Sequence, residues 1–163
     1  MDEYKEFLVG KAKTFQSSGF SIADGDLNQK LKDWQREVVR WGLRKGRAAF
    51  FEGCGLGKTA QQLEWAWRVH LHTGGMVLLL APLAVAEQTH YEEAVKFGIS
   101  TTLCRTSADL RPGINITNYE MLHHFDPSAF VGVVADESSL LKALDGATKQ
   151  TLIESFRDTP YKL

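Results

Sequence analysis

Three glycines alternate just ahead of a lysine and a threonine in FFEGCGLGKTAQQLEW, residues 50–65. Glycine lets a backbone curl so that successive N–H groups point inward, which makes a cradle for an anion. Gly53, Cys54, Gly55, Leu56 and Gly57 would form that cradle. Lys58 would reach the β- and γ-phosphates of a nucleotide, and Thr59 would offer its hydroxyl to Mg²⁺. A helix beginning near Lys58 would add the positive end of its dipole. The strict pattern G-x-x-x-x-G-K-[ST] places glycine at the first position, where this chain has Glu52. A carboxylate at the mouth of an anion cradle should point away from the phosphates. The working turn would then be made by Gly55 and Gly57.

A second acidic segment, VGVVADESS, puts Asp136 and Glu137 at the end of an apolar run. A phosphate-loop enzyme needs an acid there. Asp136 would help hold Mg²⁺ opposite Thr59, and Glu137 would orient and deprotonate an attacking water. Acids often terminate strands, so the segment gains its meaning from the loop upstream. Residues 58 and 136 leave room for several strand–helix units between them.

These residues need elements to position them. Leu31, Trp34, Val38 and Trp41 recur at helical spacing, as do Ala60, Leu63, Trp67 and Leu71. AAFFE, before the loop, reads as a short buried strand. MVLLLAP is an uninterrupted apolar run closed by Pro82, as expected for a strand covered on both faces. Residues 84–97 read as helix, and STTLC, INITNY and FVGVVADE as strands. Leu141, Leu144, Thr148, Leu152 and Phe156 mark a last helix that Pro160 stops. Strands alternating with helices predict an α/β fold, a mostly parallel sheet with helices on both faces. Ligands of such sheets sit at the carboxyl ends of strands, where both the glycine loop and Asp136 fall. Residues 1–28, ending in SSGFSIADGDLN, read as a loosely structured lead-in, and 29–163 as one domain.

The chain has 163 residues, 44% of them hydrophobic and 24% charged, enough for one domain with a substantial core. No window reaches the ~18 apolar residues of a membrane span, and the acidic start MDEYKEFLVGK has no signal-peptide core. No membrane partner and a cytoplasmic location are the expectations. Cys54 and Cys104 lack metal-like neighbours and read as reduced thiols. Net charge is −1, but residues 28–47 carry seven Lys or Arg against Asp33 and Glu37. That local +5 fits a solvated helix face or a polyanion contact.

In order along the chain, several segments resemble the first, RecA-like lobe of superfamily 2 helicases and translocases. The likeness is to the Swi/Snf-type branch and to DEAD/DEAH-box-like helicases carried by phages. LKDWQREVVRW resembles the segment whose glutamine, here Gln35, recognises the adenine edge. EGCGLGKT resembles a motif often written DEMGLGKT, in which an acid also stands where the strict pattern has glycine. LLAPLAVAEQTHYEEAVKF resembles the motif that touches the nucleic-acid backbone, and ITNYEML the segment after it; Pro82, Gln88 and Asn118 are the candidate contacts. VVADESSLLKA resembles the DEAH-type motif, with Lys142 trailing and Ser138-Ser139 in place of Ala-His. The resemblance runs from about Leu31 to the end. It implies a RecA-like P-loop NTPase domain that uses ATP and Mg²⁺. It further implies movement on nucleic acid, DNA in this branch, in a bacterial or phage-infected cell. The residues TPYKL begin the strand that, in the family, leads into a Ser/Thr-Ala-Thr motif. That motif and the second RecA-like lobe, with its arginine fingers, lie outside this sequence, so the chain reads as an incomplete lobe.

Other readings stay open on the residues alone. A stand-alone nucleotide-binding module without motor activity fits the same loop, as does an unrelated P-loop ATPase or kinase. Gln35 also reads as a surface helical residue, Trp65 and Trp67 as packing, and His123-His124 as the polar end of a short helix.

Overall fold

The computed structural model describes residues 17–53, 55–136, 150 and 153–163. Two longer helices come first, α1 (Asp33–Lys45) and α2 (Lys58–Thr73). Strand β1 (Met76–Ala81) follows. A continuous helical run over 83–97 then comprises α3 (Leu83–Gln88), a π-helical turn (Thr89–Glu93) and α4 (Ala94–Phe97). The remaining strands are β2 (Thr101–Leu103), β3 (Ile114–Asn118), β4 (Phe130–Ala135) and β5 (Tyr161–Lys162).

All five strands among the described residues are parallel, in the order β2-β3-β1-β4-β5. The central strand β1 pairs Leu79 with Ile116 of β3 on one side and with Val134 of β4 on the other. A strand covered on both faces cannot alternate polar and apolar residues, and Val77 to Ala81 are all buried. Side chains alternate between faces, so the strand feeds two cores. Val77, Leu79 and Ala81 pack with Leu63, Ala66 and Val69 of α2. Leu78 and Leu80 pack with Phe125, Phe130, Val133 and Phe156 on the opposite face. The α/β fold with a parallel sheet expected from the strand–helix alternation is the one observed.

Several local expectations are corrected. AAFFE is not a buried strand. Arg47 makes one parallel bridge to Lys162, and Ala48 N–H donates to the Lys162 carbonyl at 2.9 Å. The following stretch turns away from the sheet, and Phe51 is 92% exposed. The buried face of α1 is shifted by one residue: Gln35, Val39, Gly42 and Leu43 are inside, while Trp34 and Trp41 are each 40% exposed. On α2 the outermost stripe residue, Leu71, is exposed, and the first turns are buried nearly all round. The described part of the lead-in is packed, not loose. Ser18 and Phe20 N–H groups donate to the carbonyls of Lys45 and Leu43, Phe20 stacks on His72, and Leu27 is buried. Most of the expected last helix lies outside the described residues; 153–155 are helical. No described helix is long and apolar enough to cross a membrane.

Truncating Leu79, 1% exposed at the centre of the sheet, to alanine is expected to cost about 2–5 kcal/mol. The Phe51→Ser change should stay within about 0.5 kcal/mol. Urea unfolding of the two variants checks both, and equal costs would place Phe51 in the core.

Candidate functional site

The glycine loop rises from the Arg47 bridge and ends on α2. Gly55 and Gly57 take left-handed backbone, φ 78° and 77°, which side-chain-bearing residues rarely adopt. Gly57 starts α2 and has a second constraint: a Cβ there would lie 2.7 Å from Gln35 Nε2. Lys58 folds back into the loop, its Nζ donating to the carbonyls of Glu52 (2.9 Å) and Gly53 (3.3 Å). The ammonium group is thus held at the loop by its own backbone. Glu52 turns its carboxylate towards α2, where Oε2 accepts from Gln61 Nε2 at 2.8 Å.

Gln35 braces the loop from outside. Its Oε1 accepts from Lys32 N–H at 2.9 Å, which caps α1. Its Nε2 donates to the Leu56 carbonyl at 2.9 Å. The family resemblance implies a reader of adenine; here both ends of the carboxamide already hold backbone. Each end keeps one further hydrogen-bonding position.

A cleft of about 540 Å³ opens in front of the loop, within the range of small-molecule sites. Gly53, Gly55, Leu56, Gly57, Lys58, Thr59, Gln35 and Gln88 all line it. Lys30 and Lys32, from the basic run, also line it, together with Glu93, Lys96 and Phe97, which sequence reasoning passed over. Among the described residues four lysines face one carboxylate, and Glu93 is paired with Lys96 at 3.7 Å. The cleft is therefore cationic in a chain whose net charge is −1. Much of the remaining basic run is spent locally, because Arg36 pairs with Asp33 and Asp24, and Arg40 with Glu37 and Asp24.

Asp136 lies just past β4, and Gln62 Nε2 of α2 donates to its Oδ1 at 2.9 Å. The strand-end acid and the loop helix are thus joined directly. Cys54 and Glu137 lie outside the described residues. Pro82 is the N-cap residue of α3 and lines neither this cleft nor the smaller cavity described next. Asn118 accepts from Met121 N–H and lines a smaller cavity of about 220 Å³ with Arg105, Glu87 and Cys104. The three suggested nucleic-acid contacts therefore do not share one pocket. His123 and His124 end a short helical turn, and Trp65 is fully buried packing, as read from sequence.

The missed residues of greatest structural weight are Gln61, Gln62 and Glu64, all nearly inaccessible on α2. Glu64 Oε1 accepts from Asn28 N–H and pairs with Arg68. Their spacing carries no warning: 61, 62 and 64 fall within about 160° of arc, which an amphipathic helix can expose, and their partners Glu52, Asp136 and Asn28 lie 9, 74 and 36 residues away.

The donors suit a nucleotide with its cation. Mg²⁺ keeps several waters and takes one or two protein oxygens beside phosphates. Thr59 and Asp136 could supply those two, although among the described residues no group of three His, Cys, Asp or Glu gathers as a metal cage.

No protein-family model matches the chain, and no curated protein sequence matches it. Solved structures do. A crystal structure of the UvsW helicase from bacteriophage T4 superposes with a TM-score of 0.64 at 15% identity, covering 80% of this chain and 50% of that one. Another structure of T4 UvsW gives 0.68 at 13% identity, covering 99% and 38%. The chain thus spans half or less of those proteins' length. The likeness shows the fold, an α/β RecA-like domain.

Two expectations follow from the site. Gly57→Ala should destabilise by roughly 1–2 kcal/mol from left-handed strain alone, and more if Gln35 is displaced; thermal unfolding checks it, with Gly25→Ala, where a Cβ meets open space, as control. Burial, reinforced by Asp109, pushes the Cys104 thiol up to about 11 from 9.0. The thiol's contribution to stability is then full below pH 9 and lost as pH rises towards 11. Cys104→Ala should unfold with a shallower decline over that window.

Proposed function

We propose that this chain binds Mg·ATP in the cleft at residues 52–59. It would be the ATP-binding RecA-like lobe, 29–163, of a nucleic-acid-dependent helicase or translocase. The observation that carries the reading is the loop itself. Left-handed Gly55 and Gly57, a captive Lys58, and Thr59 in the first turn of α2 sit at the mouth of a cationic cleft. Lys58 would release the carbonyls of Glu52 and Gly53 for phosphate oxygens. The backbone N–H groups from Gly53 to Thr59 would line the phosphates, with the positive end of α2 behind them. Thr59 and Asp136 would hold Mg²⁺, which when bound offsets the phosphate charge. Glu137, next in the chain, would take a proton from the attacking water. Gln35 would meet the base with the hydrogen-bonding positions its backbone contacts leave free.

The helicase-like fold and the partial coverage of T4 UvsW support a second lobe as partner, with nucleic acid, DNA in this proposal, on the strand-end face near Pro82, Gln88 and Asn118. Movement on nucleic acid is then a property of the two lobes together, and the chain alone should turn over ATP very slowly.

Calorimetric titration of Mg·ATP into the chain and into Lys58→Ala tests the reading. One charged hydrogen bond is worth about 1.5–3 kcal/mol, so the variant should bind roughly 10–100-fold more weakly. Equal affinities, or no binding by the wild type, would overturn it.

A further inference from the structure

Asp136 is fixed at three points. Its backbone N–H donates to the Leu80 carbonyl at 2.8 Å, and its backbone carbonyl accepts from the Tyr119 hydroxyl. Those two contacts place the main chain at the end of β4. The carboxylate is oriented by the third, Gln62 Nε2 to Oδ1 at 2.9 Å.

Gln62 stands three residues past Thr59 on α2. Residues at that spacing share a helix face, so the amide draws the carboxylate to the side of α2 that carries the Thr59 hydroxyl. Gln62 is only 6% exposed. An apolar residue would fill such a position without the cost of burying an amide. The alternatives with charge fail differently. A glutamate would set two negative charges together, and a lysine would neutralise Asp136 and displace any cation from it. A neutral donor is the side chain that orients the carboxylate while leaving its charge and its second oxygen available.

We infer that Gln62 is a positioning residue for Asp136 and thereby sets the affinity of the nucleotide site for its divalent cation. The inference rests on the nucleotide reading above and adds to it a residue that the loop motif does not contain. Gln62 need not touch nucleotide or metal. Its effect passes through the carboxylate, as with the outer partners of other metal ligands.

Calorimetry with ATP in EDTA, and again with ATP and Mg²⁺, gives the cation's contribution as the ratio of the two affinities. The chains to compare are wild type, Gln62→Leu, Asp136→Asn and the double variant. Gln62→Leu should keep its affinity in EDTA, which also reports that it folds, and should lose roughly 10-fold of the Mg²⁺ enhancement. The double variant should show no less enhancement than Asp136→Asn alone, because the two residues act as one unit. An unchanged ratio in Gln62→Leu would overturn the inference. So would an equal loss in both conditions, or losses that add in the double variant. ATP binding by the wild type in neither condition would overturn the nucleotide reading, and this inference with it.

Discussion

The first two turns of α2 must bury polar side chains, and every neighbouring element is arranged around that constraint. Gln61, Gln62 and Glu64 lie in a helix packed on the sheet, each within 6% of full burial. Burying an amide or a carboxylate is costly unless it is hydrogen-bonded. Each therefore holds a different piece of chain: Gln61 the start of the glycine loop, Gln62 the end of β4, and Glu64 the Asn28 backbone together with Arg68. Asn28 in turn donates through Nδ2 to the Phe97 carbonyl at 2.7 Å, which fixes α4. One helix thus sets the relative positions of the loop, the strand-end acid and two walls of the cleft. The Glu64–Arg68 pair sits where breaking one partner would leave a buried charge, a larger loss than any exposed pair on α1 could cause.

The sheet explains why these residues converge. In a parallel sheet all strand ends that face one way are neighbours, whatever their separation in sequence. Residues 81, 103, 118 and 135 end their strands on that edge, and both cavities open there. The apolar run of β1 makes this possible, since two cores on two faces keep the edge rigid. Polar groups can then gather at the edge without weakening the interior.

Sequence made β1 and β4 legible because fully buried strands are continuous apolar runs, β3 legible through its β-branched Ile114, Ile116 and Thr117, and the loop legible because its glycines have a backbone reason to exist. The phase of α1 was not legible. Periodicity weighs Trp34 and Trp41 as core, yet the core takes Gln35 in their place, since its carboxamide bridges Lys32 and Leu56. Pattern reading assigns glutamine to the surface and cannot see a partner 21 residues away. The same blindness hid Gln61, Gln62 and Glu64. AAFFE misled for the opposite reason: its composition suits a strand, but a strand needs a neighbour, and pairing with β5 reaches only the Arg47 bridge and Ala48 N–H. Lys30 and Lys96 were invisible as a unit because they meet only through the fold, with Lys30 Nζ donating to the Lys96 carbonyl at 2.7 Å.

Glu52 shows what a motif position requires. The strict loop pattern asks for glycine there, but the left-handed turns fall on Gly55 and Gly57. What position 52 contributes is its carbonyl, which accepts from Lys58, and any residue has a carbonyl. The side chain is then free to be an acid if it has somewhere to go other than the inside of the loop. Gln61, one turn into α2 and fully buried, provides the place. The pair is mutually conditional: without Gln61 the carboxylate would lose the donor that holds it against α2, and without Glu52 a buried amide would keep only the more distant Gly57 carbonyl at 3.5 Å. The departure at the first position and the glutamine nine residues later therefore count as one feature of the loop, and a chain carrying either alone would be the anomalous case.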